Sequence, residues 1–240
     1  MNSSDSSLHL TSHEWLLINR IIEAYDAQII QCDKDRFTHY SLSHTKLIDF
    51  LNDEHDMYRT LIQFYKQIEE FRQINIEDRI LLIKCNLTHL IHIHHVLRDN
   101  FIENSKIGLH MSQWISPSFH AQMSQARHRY DYFIKYPSVL KLALSSLIFT
   151  INLSRLSPKQ STLTLTDYKL IVQHQYYYVT LLWKYLNVTC GEKYAIKAVE
   201  ILVFQYLRYQ LLMEHMEDVI IHDRNPTEYC PLTKSVLCLT

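Results

Sequence analysis

Residues 64–84, FYKQIEEFRQINIEDRILLIK, place a helix end, a short turn and a new helix start in one run, and this run limits the fold more than any other stretch. Phe64, Ile68 and Phe71 share one helical face, and Ile76, Ile80, Leu81 and Lys84 begin another. The rest of the chain extends the pattern. Only 2 Gly and 5 Pro in 240 residues leave few turn signals, and long stretches of 3.6-residue periodicity predict an almost entirely helical protein. A content of 47% hydrophobic residues at net charge −1 suits one domain with a sizeable core, and speaks against disorder or a dedicated polyanion binder.

The Ser-rich opening MNSSDSSLHL, residues 1–10, reads as a disordered N-terminus, and residues 11–240 as one domain. A first helix starts at a Ser12 cap and carries Trp15, Leu16, Ile18, Ile21, Ile22 and Tyr25, followed by a polar connection over 31–43. A long helix is predicted over 44–73, and another over 77–99 whose apolar coverage is broad enough for burial on several sides. Residues 100–117 contain Gly108 and little periodicity, so they read as a loop with short helical turns. Helices resume over 118–135, 137–152 and 166–186, the last capped by Thr166 and Asp167. A helix running from Gly191 to about residue 221, a polar linker over 222–229 and a short helix in PLTKSVL, starting at Pro231, complete the chain.

Several function classes find no support. Cys32, Cys85, Cys190, Cys230 and Cys238 are scattered and odd in number, which excludes a disulfide framework and a cysteine-ligated zinc module of usual spacing, and predicts reduced, intracellular thiols. Asn86 and Asn187 open glycosylation sequons, but no leader precedes them and Asn86 falls inside a helix. The apolar stretch 139–153, broken by Lys141 and Asn152, is too short for a bilayer of about 30 Å. No Gly-x-Ser-x-Gly, phosphate loop or Gly-x-Gly-x-x-Gly occurs, so catalysis is not expected. Basic residues form no dense stripe interleaved with aromatics, and direct nucleic-acid binding is not expected either.

The run over 64–84 closely resembles the signature of nuclear-receptor ligand-binding domains. Lys66, Ile68, Phe71, Asp78, Leu81, Leu82 and Lys84 hold the signature places, with Arg79 where the family usually has glutamine. LTSHEWLLINRIIEAYDAQ resembles the family's first helix, Gln175, Leu182 and Tyr185 its ninth, the Leu207–Arg208 pair its fused tenth and eleventh, and PLTKSVL its activation helix. The first-helix sequence and the ending are most similar to the vitamin D receptor-like group. The resemblance implies an all-α, three-layer antiparallel helical sandwich of about ten to twelve helices around an internal pocket. It implies no cofactor, and DNA reached only through a dimer partner or a further part of the protein, since these cysteines cannot build the family's zinc-bearing module.

By the same resemblance, Thr88, Ile91, His92, His95 and Arg98 line the pocket from one helix, facing Phe50, Asp53, Glu54 and Met57, with His215 close by. Arg98 suits a ligand carboxylate or carbonyl because its planar fork pairs bidentately, although Glu54 or Asp53 can neutralise it instead. His92 and His95 with Asp53 or Glu54 are also competent metal ligands, but no His-Glu-x-x-His accompanies them, and ordinary hydrogen-bonded histidines are the stronger reading among 15. A coregulator groove is expected at Lys66, Arg79, Lys84, Leu232, Ser235 and Val236, where Lys66 would hold the carbonyl end of an LxxLL helix. Ser235 stands in place of the family's glutamate, so the other half of that clamp lacks its charge.

Implied together are transcriptional regulation in the nucleus, with or without a cytoplasmic fraction, through a small lipophilic ligand, LxxLL-type coregulators and a homo- or heterodimer with another nuclear receptor, without membrane attachment. A ligand would act by shifting the last helix between docked and undocked populations. The competing expectation is a ligand-independent dimerisation module that represses or tethers a partner receptor, favoured by Ser235 and by an internal pairing of Glu54 with Arg98.

Overall fold

A helix with polar groups on several faces can be buried only if each group meets a partner, and that condition governs the architecture. The structure, a computed structural model, describes residues 9–33, 46–103, 105–151, 165–221 and 229–236, without the side chains of 31–33, 53, 105, 106, 217, 220 and 221. Among the described residues the chain is all-helical, with no strand.

The helices are α1 (Ser12–Asp33), α2 (Leu47–Asp53), α3 (His55–Tyr65), α4 (Glu69–Gln73), α5 (Ile76–Arg98), α6 (Ser105–Trp114), α7 (Pro117–His128), α8 (Ser138–Leu147), α9 (Tyr168–Cys190), α10 (Glu192–Ile221) and α11 (Pro231–Val236). A 3-10 turn, Arg129–Phe133, follows α7. α5 packs against α3, α8, α10 and α11; α1 packs on α3 and α8, and α9 on α8 and α10. α5 is long and apolar enough to cross a membrane by length and composition alone, but 72% of its apolar window is buried within the protein.

Its polar side chains each address a different neighbour. Asp78, 2% exposed, accepts from the Thr166 and Asp167 amides at 3.2 and 2.6 Å, which ties the start of α5 to the start of α9. Asn86, fully buried, donates to the Ile148 and Thr150 carbonyls at 3.1 and 2.7 Å and accepts from the Tyr206 hydroxyl at 3.0 Å, joining α8 to α10. His94 bonds the Tyr25 hydroxyl of α1 at 2.7 Å.

Local chemistry sets the ends. Thr11 caps α1, not Ser12: its hydroxyl accepts from the Glu14 amide while Glu14 accepts from the Thr11 amide. Asn75 caps α5 and Ser116 caps α7, with Pro117 in the first turn. Asp167 does not cap α9 with its side chain; its carboxylate accepts from the Asn75 amide at 2.8 Å instead. Gly191, at φ 83, divides α9 from α10 in a left-handed conformation that suits glycine.

Several expected elements differ, among them the helix over 118–135, which ends at His128 and gives way to the 3-10 turn. The helix over 44–73 is divided at Glu54 into α2 and α3 and ends at Tyr65, and Ile68 takes an extended backbone before α4. Burying Tyr65 and Ile74 together with Phe64, Ile68 and Phe71 needs a change of direction that one straight helix does not provide. Residues 105–114, expected as loop, form α6: Ile107, Met111 and Trp114 recur at helical spacing and pack on the core. The helix over 137–152 ends at Leu147, and the predicted linker falls, over 222–228, outside the described residues, as do residues 1–8 of the expected disordered start.

Asn86→Ala removes the three bonds that its buried amide makes to the Ile148 and Thr150 carbonyls and the Tyr206 hydroxyl. A destabilisation of about 2–4 kcal/mol is expected in urea denaturation, and a loss under about 0.5 kcal/mol, the size typical of surface positions, would show that these bonds do not hold α8 and α10 to α5.

Candidate functional site

The α5 residues Thr88, Ile91, His92, His95 and Val96 share a face along which the neighbouring helices stand apart, leaving a cavity of about 150 Å³. Phe50, Leu51 and Glu54 close it on the α2 side, Ile107, Gly108 and Met111 on the α6 side. α7 contributes His120, Met123, Ser124 and Arg127, one helical face at i, i+3, i+4 and i+7, and α10 contributes Tyr209, Met213 and Met216. The volume is below the roughly 300–1,000 Å³ usual for drug-sized ligands.

Polar pairs occupy much of the wall. His95 Nε2 donates to Glu54 Oε2 at 2.6 Å, with Glu54 3% exposed. His92 Nε2 bonds the Tyr130 hydroxyl at 2.6 Å, and its ring stacks on Tyr209 at 3.4 Å. Burial, and then the charges of His89 and His95, holds His92 well below the usual histidine range; burial likewise lowers His94. Burial raises Tyr130 well above the ordinary phenol value, so it stays protonated. Gly108 admits the His120 ring, because a Cβ there would strike it.

Of the predicted ligand-binding residues, Phe50, Glu54, Thr88, Ile91, His92 and His95 are brought together on the cavity wall. Arg98 is not in the wall: its Nε donates to Asp99 at 2.8 Å and its Nη1 lies 2.8 Å from the sulfur of Met57, itself buried away from the wall. His215 is exposed beside Phe119 in a surface cleft, on the outer side of α10. The Asp53 side chain lies outside the described residues. The wall residues of α7 share one face at helical spacing, a signal that stood alone while residues 105–114, which they face, were expected as loop.

At the other predicted surface, Lys66 is exposed at the end of α3, and Lys84 is half-buried in line with exposed Ile76 and Ile80. Arg79 is half-buried, its Nε without a hydrogen-bond partner. On α11, Ser235 is half-buried and Leu232 packs partly on the core. Val236, expected in the coregulator groove, is 1% exposed and belongs to the core, anchoring α11. Thr233 donates to the Leu51 carbonyl at 3.3 Å and the Cys230 amide to Asn52 Oδ1 at 2.8 Å, so α11 is bonded to α2.

Among the described residues no three His, Cys, Asp or Glu groups are arranged to hold a metal. No protein-family model matches the chain, and no curated protein matches it.

The buried imidazoles make stability depend on pH. An unfolded chain protonates His92 and His94 near pH 6.5 whereas the folded chain resists, so stability is full above that value and falls as pH drops below it. With two such groups the slope approaches about 2.7 kcal/mol per pH unit. Exposed His128, raised by its bond to Asp131 and by Glu103, acts oppositely, but solvent screening keeps its effect small. Denaturant midpoints measured at pH 7.5, 6.0 and 5.0 are expected to fall in that order; a flat series would contradict the burial of these rings.

Proposed function

We propose that the chain is a nuclear-receptor-type ligand-binding domain that regulates transcription in the nucleus, the contents of its cavity setting how firmly α11 docks. One observation carries the reading: the single short helix α2 turns Phe50 and Leu51 toward the cavity while Leu51 and Asn52 accept the bonds that hold α11. A lipophilic occupant that moves α2 changes both at once, and it shifts α11 only by binding one arrangement better than the other. Support also comes from the central place of α5, which packs against α3, α8 and α10 while α1 packs on α3 and α8.

Lys66, exposed Ile76 and Ile80, and α11 would then frame a groove for an LxxLL coregulator helix. Ser235 supplies no anion for the helix amides. In fluorescence-polarisation binding, Ser235→Glu is expected to tighten an LxxLL peptide about fivefold, the value of roughly 1 kcal/mol at a helix terminus, and Lys66→Ala to remove the gain. No gain in Ser235→Glu would mean the groove is not used in this way.

A second reading, a dimerisation module that represses or tethers a partner receptor without ligand, is favoured by the outer face of α10. Phe204, Leu207 and Leu211 recur there at helical spacing and are 62%, 52% and 67% exposed. Such a stripe suits a second copy or a related receptor domain. Sedimentation analysis is expected to show a dimer that Leu207→Asp dissociates; a monomer at every concentration would remove homodimerisation.

A further inference from the structure

Three carboxylates line the cavity, Glu54, Asp99 and Glu103, and each is bonded to a side chain other than Arg127. Glu54 is matched by His95, Asp99 by Arg98 at 2.8 Å, and Glu103 by His128 at 2.9 Å. Arg127, in the wall from α7, has no carboxylate among the described residues: its Nη1 donates to the Phe101 carbonyl at 3.3 Å, and its Nη2 is buried with no hydrogen-bond partner. That carbonyl is presented by a left-handed turn at Asn100 and Phe101, φ 46 and 62, a conformation uncommon for an aromatic residue. Leaving a buried guanidinium donor unmet is costly, and a planar fork of donors fits a carboxylate bidentately. Two turns away on the same face of α7, the His120 ring also enters the wall.

Between these polar groups the wall is yielding. Met111, Met123, Met213 and Met216 line it, and unbranched thioether side chains repack to admit an irregular guest. A cavity of about this volume holds a single benzene-sized ring.

We infer that the cavity takes a compact apolar monocarboxylic acid, its ring or short chain among the methionines and its carboxylate on Arg127, with Arg98 taking no part. This rests on the reading of the cavity as a ligand site and specifies what it selects.

The test is calorimetric titration with phenylacetate and, as its neutral counterpart, phenylacetamide. Wild type is expected to prefer the acid by about tenfold or more, the scale of one charge-assisted bidentate pair. Arg127→Gln should lose that preference while still binding both compounds weakly, Arg127→Lys should retain part of it, and Arg98→Gln should keep it. Met123→Trp, which fills the cavity, should abolish binding of both and so covers the case in which Arg127→Gln does not fold. Equal affinity for acid and amide, or a preference that survives Arg127→Gln or disappears in Arg98→Gln, overturns the assignment of Arg127 and leaves the cavity as a ligand site. Binding untouched by Met123→Trp, or binding of neither compound, overturns the ligand-site reading as well.

Discussion

α5 is surrounded on almost every side, and the arrangement of the other helices depends on satisfying what it buries. Its apolar residues would tolerate many packings, whereas its polar ones are particular. Asp78 requires the start of α9, Asn86 the end of α8 and a tyrosine of α10, His92 the 3-10 turn and α10, His94 a tyrosine of α1, and His95 the junction of α2 and α3. A slip of α5 by one residue would break all of these at once, each leaving a polar group unmet in a medium of low dielectric. The polar centre therefore contributes less to stability than to uniqueness of the packing.

The cavity follows from the same constraint. Helices held at fixed places by polar bonds do not close freely around the Thr88–His95 face, and the space left is walled by methionines on one side and by paired histidines on the other. Because α2 forms part of that wall and also accepts the bonds from α11, interior contents and terminal-helix docking share one mechanical element. The proposed functions differ in what drives that element: a bound acid in one case, a dimer partner on α10 in the other.

Much of this was legible in the residues. The scarcity of glycine, the run over 64–84 and the periodic stretches point to helices at α1, α5, α7, α9 and α10, and the α5 cavity face from Thr88 to His95 is visible as helical spacing. What escaped has physical causes. α6 was hidden by Gly108, read as a breaker, although in the fold its missing side chain makes room for His120. Without α6 the stripe of α7 had nothing to face, and Arg98 took the role proposed for Arg127. Spacing shows which side chains share a face of a helix; it does not show which of two arginines has already found a carboxylate.

If the cavity and α11 are coupled through α2, filling the cavity must be felt at both helices. Amide hydrogen exchange on wild type and Met123→Phe, which fills the cavity from α7, tests it most directly. Coupling through α2 is expected to slow exchange over 47–54 and over 231–236 together. Protection confined to α6 and α7, with α11 unchanged, would contradict it.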